Sequence, residues 1–397
     1  MNFDCWKTLM GSKYLESLTW LRAIAAFFVV VSHSIRASEV KYYPHDEASN
    51  FFPFSLLDLG TYGVYLFFAL SGCTLYLSSF KKVNSIGDFG GFYLKRFMRI
   101  WPAFAISLLV YLLFIEVFRY YYFADNSLWI AQFLREYTVY NIFQYLSLTF
   151  NITGPSGLFN GPYWSLPVEF QYYLLLPFVL LFMKNRYLEF IAPVLVGSFL
   201  YYLYRNSPFE LDRYEVFKMG FTFFGGVFLA KIYQEIKYRI AFKLALTAFI
   251  FVIVLAGSIR AGIVVVPDMI PFISDKWNVY GILALVSVAL ALFAKPVISQ
   301  NRFLDFIHSY GEISYSIYLF HMIFIGAATL LLINLEVMSG NSKLAFILSF
   351  SLIGSYIFSK CTYRYIELPS ITLGRRASEL KKRNALDTVL KTVRVKN

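Results

Sequence analysis

A histidine and an arginine share one long apolar run near the start of the chain. Arg22 and His33 are eleven residues apart, and Arg22 is the only formally charged residue between Leu21 and Ile35. In an α-helix, eleven steps return to the same face about 16 Å further along the axis. Ionisable groups inside a membrane-length segment are costly unless they face a cavity or a partner, so the spacing predicts a functional pair. The alternative is an interfacial anchor at Arg22 and a helix-packing hydrogen bond at His33.

A second ionisable group, Glu169, opens a later apolar segment within the stretch from Trp164 to Tyr173. If the helices alternate in direction, Glu169 and His33 lie at similar depth toward the same side of the membrane. A carboxylate beside an imidazole orients the ring and stabilises its protonated form, so that the histidine can take a proton from a hydroxyl. We therefore expect His33 and Glu169 to form an acid and base pair. The alternative is a helix cap near Pro167 or a structural ion pair.

Arg96 and Arg99 stand three residues apart, just before an apolar segment that begins near Trp101. Residues at this spacing project from neighbouring faces of a helix. Guanidinium groups bind phosphate oxygens in a two-point manner, so the pair predicts a phosphate site at the membrane boundary, which Arg22 would join. The competing interpretation is that the two arginines only anchor the cytoplasmic end of their helix.

Two further polar features lie toward the end of the chain. His321 falls inside an apolar segment, where it either lines a cavity or bonds to another helix, and we favour the second role. Arg364 and Glu367 are three residues apart, which predicts an ion pair that stabilises the end of the last span.

The composition places these groups in a membrane. Hydrophobic residues make up 58% of the 397 residues and charged residues only 15%, with a mean hydropathy of +0.57, which is too apolar for the surface of a soluble domain. Apolar segments of about 17–25 residues are long enough to cross a bilayer core. The sequence therefore predicts an all-α membrane protein with about ten transmembrane helices, at residues 20–37, 59–80, 101–123, 164–183, 187–204, 216–234, 241–259, 278–294, 310–333 and 343–360.

The positions of Lys and Arg orient these segments. With the N-terminus in the cytoplasm, most of the 36 Lys and Arg residues fall on the cytoplasmic side, as the positive-inside rule requires. We therefore predict that both termini are cytoplasmic. The net charge of +12 then reflects topology together with a basic tail near anionic membrane lipids. The sequence lacks a basic face with interleaved aromatic residues, which is the pattern that would indicate nucleic-acid binding.

The sequence predicts one membrane domain over residues 1–374 and a basic cytoplasmic tail over residues 375–397. The longest outer loop, residues 124–163, contains an aromatic segment at 140–150 and then a turn-rich segment at 151–162, and we expect this loop to cap an outward-facing cavity. The 3 cysteines and 4 histidines are scattered, so their spacing predicts neither a disulfide framework nor a metal site. The sequence carries no signal for the oligomeric state.

Six segments together resemble the acyltransferase 3 family of integral membrane O-acyltransferases. They occur in the family's order and span almost the whole chain: Leu21–Ala26 with His33, Phe67–Gly72, Arg96–Arg99, Trp164–Tyr173, Ser314–His321 and Tyr363–Pro369. Two positions depart from the family pattern. Ala23 stands where the family often has glycine, and Phe170 stands where a second glutamate is common, which argues against a pair of carboxylates.

The resemblance implies a ten-helix core that moves an acyl group, usually acetyl from acetyl-CoA, to a hydroxyl of an extracytoplasmic sugar. The family's functional positions fall on Arg22, His33, Arg96, Arg99 and Glu169 of this sequence. The implied partners are acyl-CoA as donor and a surface glycan, such as O-antigen or capsule, or a lipid-linked sugar as acceptor. The implied location is the inner membrane of a bacterium.

These observations combine into one hypothesis, in which the arginines hold the phosphates of CoA and His33, oriented by Glu169, activates the sugar hydroxyl. An acyl-histidine intermediate is the competing mechanism. A transporter or flippase for a glycan or lipid is the competing function. Further candidates for the substrate path are Ser71, Trp164, Tyr173, Tyr318 and His321. Ser71 and Tyr318 are also candidates for oxyanion stabilisation.

Overall fold

The computed structural model describes residues 3–38, 54–121, 132–206, 215–266, 272, 275–296, 301–335 and 340–380. The described chain is helical throughout its regular parts. Its α-helices are α1 (Phe3–Ala37), α2 (Gly60–Ser79), α3 (Phe89–Tyr121), α4 (Val139–Leu146), α5 (Phe150–Thr153), α6 (Ser165–Phe182), α7 (Ile191–Asn206), α8 (Glu215–Glu235), α9 (Phe242–Arg260), α10 (Lys276–Phe293), α11 (Arg302–Glu312), α12 (Ser314–Leu335) and α13 (Gly340–Thr362).

Short helical turns link several of these elements. Two 3₁₀ turns matter for the site, Phe54–Leu57 before α2 and Gly161–Trp164 before α6. A π-helical turn, Tyr363–Glu367, follows α13. The helix then continues to Leu380, beyond the predicted domain boundary at residue 374, and the rest of the predicted basic tail, residues 381–397, lies outside the described residues.

The prediction of an all-α membrane protein is confirmed. Within the described residues, 9 helices are long and apolar enough to cross a membrane. The fifth predicted span corresponds to α7, which has 16 residues and is about 24 Å long, shorter than a bilayer core of about 30 Å. It nevertheless runs antiparallel to α8, because Glu189, just before α7, pairs with Lys231 near the end of α8 at 2.9 Å.

Contacts between helix ends show how the bundle alternates. Ser17, early in α1, donates to the carbonyl oxygen of Ala291 near the end of α10 at 2.9 Å. Lys184, after α6, donates to the carbonyl oxygen of Phe80, after α2. We call this side of the bundle the basic end, because many Lys and Arg residues gather there. Its placement in the cytoplasm stays a prediction from the positive-inside rule.

A buried ion pair ties helices together at the opposite end. Asp58 lies just before α2 and accepts from Arg260, the last residue of α9, at 2.6 Å. The Ser32 hydroxyl of α1 also donates to the Asp58 carboxylate. The side chain of Asp58 is fully buried. This carboxylate therefore joins α1, α2 and α9 beside His33, the residue that follows Ser32.

The predicted aromatic segment at 140–150 forms α4 and the start of α5. It packs on the side of the bundle: Trp101 of α3 donates to the carbonyl oxygen of Leu146 at 2.8 Å, and Asn151 and Gln171 exchange amide hydrogen bonds of 3.1 and 3.2 Å. Side-chain amides pair in this way when both are held away from water. The segment thus braces α3 and α6. Residues 140–150 line none of the cavities described below, whereas Gly161 and Pro162 at the end of the same predicted loop line the outer one.

Glycine allows α2 and α8 to approach closely. A Cβ atom added to Gly72 would collide with the carbonyl oxygen of Phe223, and one added to Gly226 would collide with the carbonyl oxygen of Ala69. Small residues are the usual means by which membrane helices bring their backbones together. The close packing of α2 on α8 fixes the helix that carries Ser71 and Thr74.

We expect Gly72→Ala to destabilise the bundle, because the new methyl group meets backbone rather than a movable side chain. Overpacking of this kind costs about 1–3 kcal/mol. The measurement is the unfolding temperature of the purified protein in detergent. The matched control is Gly157→Ala, whose Cβ would meet only the Arg135 side chain at 3.6 Å. Equal unfolding temperatures for the two variants would contradict the packing argument.

Candidate active site

Three polar cavities follow one another through the bundle. The inner cavity, about 950 Å³, opens at the basic end. The middle cavity, about 90 Å³, is narrow and contains Glu169. The outer cavity, about 340 Å³, contains His33. The inner and middle cavities share four lining residues, Arg22, Thr74, Arg96 and Arg99, and the middle and outer cavities share Val64 and Tyr318.

The three predicted arginines meet where the inner cavity narrows into the middle one. Arg22, from α1, donates to the Thr74 hydroxyl of α2 at 2.9 Å. Arg96, from α3, lies 5.7 Å from the ring centroid of Phe92, and its Nε is buried without a hydrogen-bond partner. Arg99, one turn later, faces the same space. The structure therefore brings together the positive groups that a phosphate-bearing ligand needs.

The partner of Glu367 differs from the prediction. Glu367 is buried and lies 3.9 Å from Arg99, while the Ser316 hydroxyl donates to its other carboxylate oxygen at 2.9 Å. The guanidinium of Arg364 instead lies 5.8 Å from the ring centroid of Tyr365. The predicted pair of Arg364 and Glu367 is wrong because both lie in a π-helical turn, whose wider winding removes the shared face that an α-helix gives to residues three apart.

Glu169 is engaged inside the middle cavity. One of its carboxylate oxygens accepts from the Tyr173 hydroxyl at 2.5 Å and from the Ser71 hydroxyl of α2. Arg22, Arg96 and Arg99 line the same cavity. Glu169 is therefore a carboxylic side chain beside the arginine cluster, and it fixes the hydroxyls of Ser71 and Tyr173.

His33 lies in the next cavity, away from that carboxylate. Its ring faces His321 of α12, with 5.4 Å between ring centroids, and Arg36 and Trp164 line the same outer cavity. The expectation that Glu169 orients His33 does not match this geometry. Glu169 instead lines the middle cavity together with the three arginines.

His321 lines none of the three cavities. It is 0% exposed, behind His33, and its Nδ1 lies 3.1 and 3.0 Å from the carbonyl oxygens of Ile317 and Tyr318. Its Nε2 is buried without a hydrogen-bond partner. Both carbonyls belong to α12 itself, so these contacts do not join His321 to another helix, and the favoured role as such a bond stays a prediction for Nε2.

The other predicted path residues are distributed along the series. Ser71 and Tyr173 line the middle cavity, Trp164 lines the outer one and Tyr318 lines both. The Tyr318 hydroxyl donates to the carbonyl oxygen of Pro162 at 2.6 Å and lies 2.8 Å from the Ser165 hydroxyl. These contacts hold Tyr318 at the junction between the middle and outer cavities.

Sequence reasoning missed Thr74, Tyr315 and Arg36. Thr74 and Tyr315 line the middle cavity, and Arg36 lines the outer one. Helical spacing contained part of this information, because Thr74 follows Ser71 by three residues and Arg36 follows His33 by three. No spacing indicated Tyr315, whose hydroxyl donates to the Ile100 carbonyl oxygen of α3 at 2.9 Å.

Comparison with known proteins gives a consistent family assignment. The family model described as "Acyltransferase domain" matches residues 15–360. A stretch of 183 residues is 30% identical to the peptidoglycan O-acetyltransferase OatA of Listeria monocytogenes serovar 1/2a, covering 45% of this chain and 26% of that protein. The chain thus spans about a quarter of the length of this relative. No solved structure matches the chain.

We expect the pair of Arg99 and Glu367 to matter for stability. Arg99→Gln leaves the buried Glu367 carboxylate with only the Ser316 hydroxyl, a loss of about 1–3 kcal/mol. Arg96→Gln removes no ion pair seen in the described residues and should lower the unfolding temperature less. The double variant Arg99→Gln/Glu367→Gln should recover part of the loss, because no unpaired carboxylate remains. The measurement is thermal unfolding in detergent. If the loss of stability in the double variant equalled the sum of the losses in the two single variants, the result would argue against the pair.

Proposed function

Because the chain belongs to the Acyltransferase domain family, we propose that it is a membrane O-acyltransferase. It moves an acyl group, most simply acetyl, from acyl-CoA at the basic end to a sugar hydroxyl at the opposite end. The observation that carries the proposal is the series of three cavities, with arginines at one end and a histidine at the other. The corresponding location is a bacterial inner membrane with the basic end in the cytoplasm.

The inner cavity suits the nucleotide part of CoA in size and charge. Its volume of about 950 Å³ lies within the usual range of ligand pockets, about 300–1,000 Å³. Lys82, Lys95 and Arg375 line it together with the three arginines. The buried Nε of Arg96 has no partner, and a phosphate oxygen would supply the acceptor that a buried N–H group requires. Arg22, Arg96 and Arg99 are the proposed phosphate ligands.

The narrow middle cavity suits a linear acyl-carrying arm. Arg22 and His33 share α1, whose rise over eleven residues is about 16 Å. A donor held by its phosphates at Arg22 therefore needs an extended arm to present a thioester at His33. In this proposal Glu169 keeps the entrance polar by holding Ser71 and Tyr173 and by balancing the charge of the arginines.

His33 acts as the general base at the acceptor hydroxyl. As the sugar oxygen attacks the acyl carbon, a C–O bond forms, the C–S bond of the thioester breaks, and the hydroxyl proton passes to the imidazole. The imidazolium then gives this proton to the departing CoA thiolate, so free CoA leaves and His33 is neutral again. Tyr318 and Ser71 are the candidate oxyanion donors; each hydroxyl must first leave its present acceptor, Pro162 or Glu169.

The outer cavity suits a sugar. Trp164 offers an aromatic face, and Thr61 and Arg36 offer hydrogen-bond donors in the same space. Such a mixture of one apolar surface and a few polar groups is typical of ligand pockets. The acceptor class we propose is a cell-surface glycan: peptidoglycan, on which the similar protein from Listeria acts by name, or an O-antigen, capsule or lipid-linked sugar.

We expect His33→Ala to lose at least about 10²-fold of glycan-stimulated CoA release, the usual contribution of a general base. The assay uses purified protein in nanodiscs with acetyl-CoA, with and without an envelope glycan fraction of the source cell, and follows free thiol. The control is His308→Ala, because His308 lines none of the three cavities. Near-normal turnover in a folded His33→Ala protein would refute the role of His33.

The same preparation separates the competing mechanism and the competing function. Acetyl-CoA alone, followed by mass spectrometry of His33, reveals an acyl-histidine intermediate if one accumulates. Glycan movement across proteoliposomes without release of CoA would instead favour a transporter or flippase.

We expect Arg96→Ala to raise the KM for acetyl-CoA about tenfold or more, because a charge-assisted hydrogen bond to phosphate contributes about 1.5–3 kcal/mol. The kcat should change less than KM, since Arg96 lines the inner and middle cavities whereas the proposed base, His33, lines the outer one. The control variant is Arg186→Ala, which keeps the charge change at the basic end but lies outside the cavities. A short thioester without phosphates, such as S-acetyl-N-acetylcysteamine, should show the same KM with both variants, and a tenfold difference there would contradict phosphate binding.

A further inference from the structure

We infer that His321 is the positioning residue for His33, in the place that the sequence assigned to Glu169. This inference rests on the proposed function, since it concerns how the base of that reaction is held. In it, the Nε2 lone pair of His321 accepts a hydrogen bond from one ring N–H of His33. The other ring nitrogen of His33 then faces the outer cavity with its lone pair free for the hydroxyl proton.

The tautomer of His321 follows from its surroundings. Its Nδ1 lies 3.1 Å from the carbonyl oxygen of Ile317 and 3.0 Å from that of Tyr318. Carbonyl oxygens only accept, so Nδ1 carries the proton, and the Nε2 of a neutral imidazole is then an acceptor. The two carbonyls belong to the preceding turn of α12 and hold the ring in one orientation. His321 is thus preset as a hydrogen-bond acceptor.

The position of that acceptor identifies its partner. The Nε2 atom of His321 is buried and has no hydrogen-bond partner among the described residues. The ring centroids of His33 and His321 are 5.4 Å apart. A hydrogen bond of about 3 Å between two ring nitrogens, together with the radii of the rings, gives a centroid separation of about 5 Å. A hydrogen bond from the His33 ring N–H to Nε2 fits the observed separation and would satisfy a buried polar atom.

The Ser32 hydroxyl and the nearby charged groups are engaged elsewhere or carry only donors. The Ser32 hydroxyl donates to Asp58, and Arg36 carries only donors. Glu169 accepts from Ser71 and Tyr173 in the neighbouring cavity. The arrangement matches the general pattern of an activated base, in which a third group fixes the tautomer of the imidazole and strengthens its bond as the ring gains charge. Here the third group is a second, neutral imidazole whose own tautomer is set by backbone.

The test compares two amides of different reach at position 321. His321→Gln can present an acceptor oxygen near the position of Nε2, whereas His321→Asn reaches only the position of Nδ1 and keeps that donor. We expect kcat to fall about 10–10²-fold in His321→Asn, within the contribution of a general base, and to recover at least about tenfold in His321→Gln. The KM for acetyl-CoA should stay within about twofold in both, because the arginines are untouched.

The assay is CoA release from acetyl-CoA and the envelope glycan fraction in nanodiscs, with the unfolding temperature measured for each variant. If His321→Asn does not fold, His321→Leu, which removes both nitrogens, replaces it in the comparison with His321→Gln. Two results would overturn the inference, provided that His33→Ala is inactive. One is an equal loss of kcat in His321→Gln and in His321→Asn (or His321→Leu), and the other is no loss of kcat in either. Normal turnover in His33→Ala would instead overturn the proposed function, so the two failures are distinguishable.

Discussion

The burial of positive charge inside an apolar bundle is the constraint on which the rest of the structure depends. Arg22, Arg96 and Arg99 converge from two helices that are long enough to span a membrane, and charges at that depth require partners or water. The protein supplies both. Glu169 lines the same cavity as the arginines and Glu367 lies 3.9 Å from Arg99, and the inner cavity opens the cluster to the basic end.

That solution also sets the distance over which the proposed chemistry operates. One helix carries Arg22 and His33, so the separation between the phosphate site and the base is the rise of α1 and does not depend on how loops fold. Two features keep α1 in place at its far end: the hydrogen bond from Ser32 to Asp58, and the ion pair of Asp58 with Arg260. A helix holds two side chains at a more constant distance than a loop does, which suits a reaction whose donor and acceptor approach from opposite ends.

Particular residues show what the sequence could predict about position, while their chemical roles stay predictions. The arginines were recognised because charge in an apolar segment is costly, and His33 because it shares a helix face with Arg22. These arguments use local periodicity, which an α-helix preserves in any tertiary setting. They also gave the all-α class, since apolar length is a property of each segment alone. The exception is the predicted span at residues 187–204, because its helix, α7, has only 16 residues.

The sequence by itself therefore determined which segments are apolar helices and which of them carry charge. Only the tertiary structure decided which charge meets which partner. Glu169 turned toward the arginines rather than His33, Glu367 paired with Arg99 through a π-helical turn, and His321 came to face His33. The physical reason is that partnership depends on the rotation and packing of separate helices, which here follow from close glycine contacts and local changes in winding. Spacing along one helix contains no information about how separate helices rotate and pack against one another.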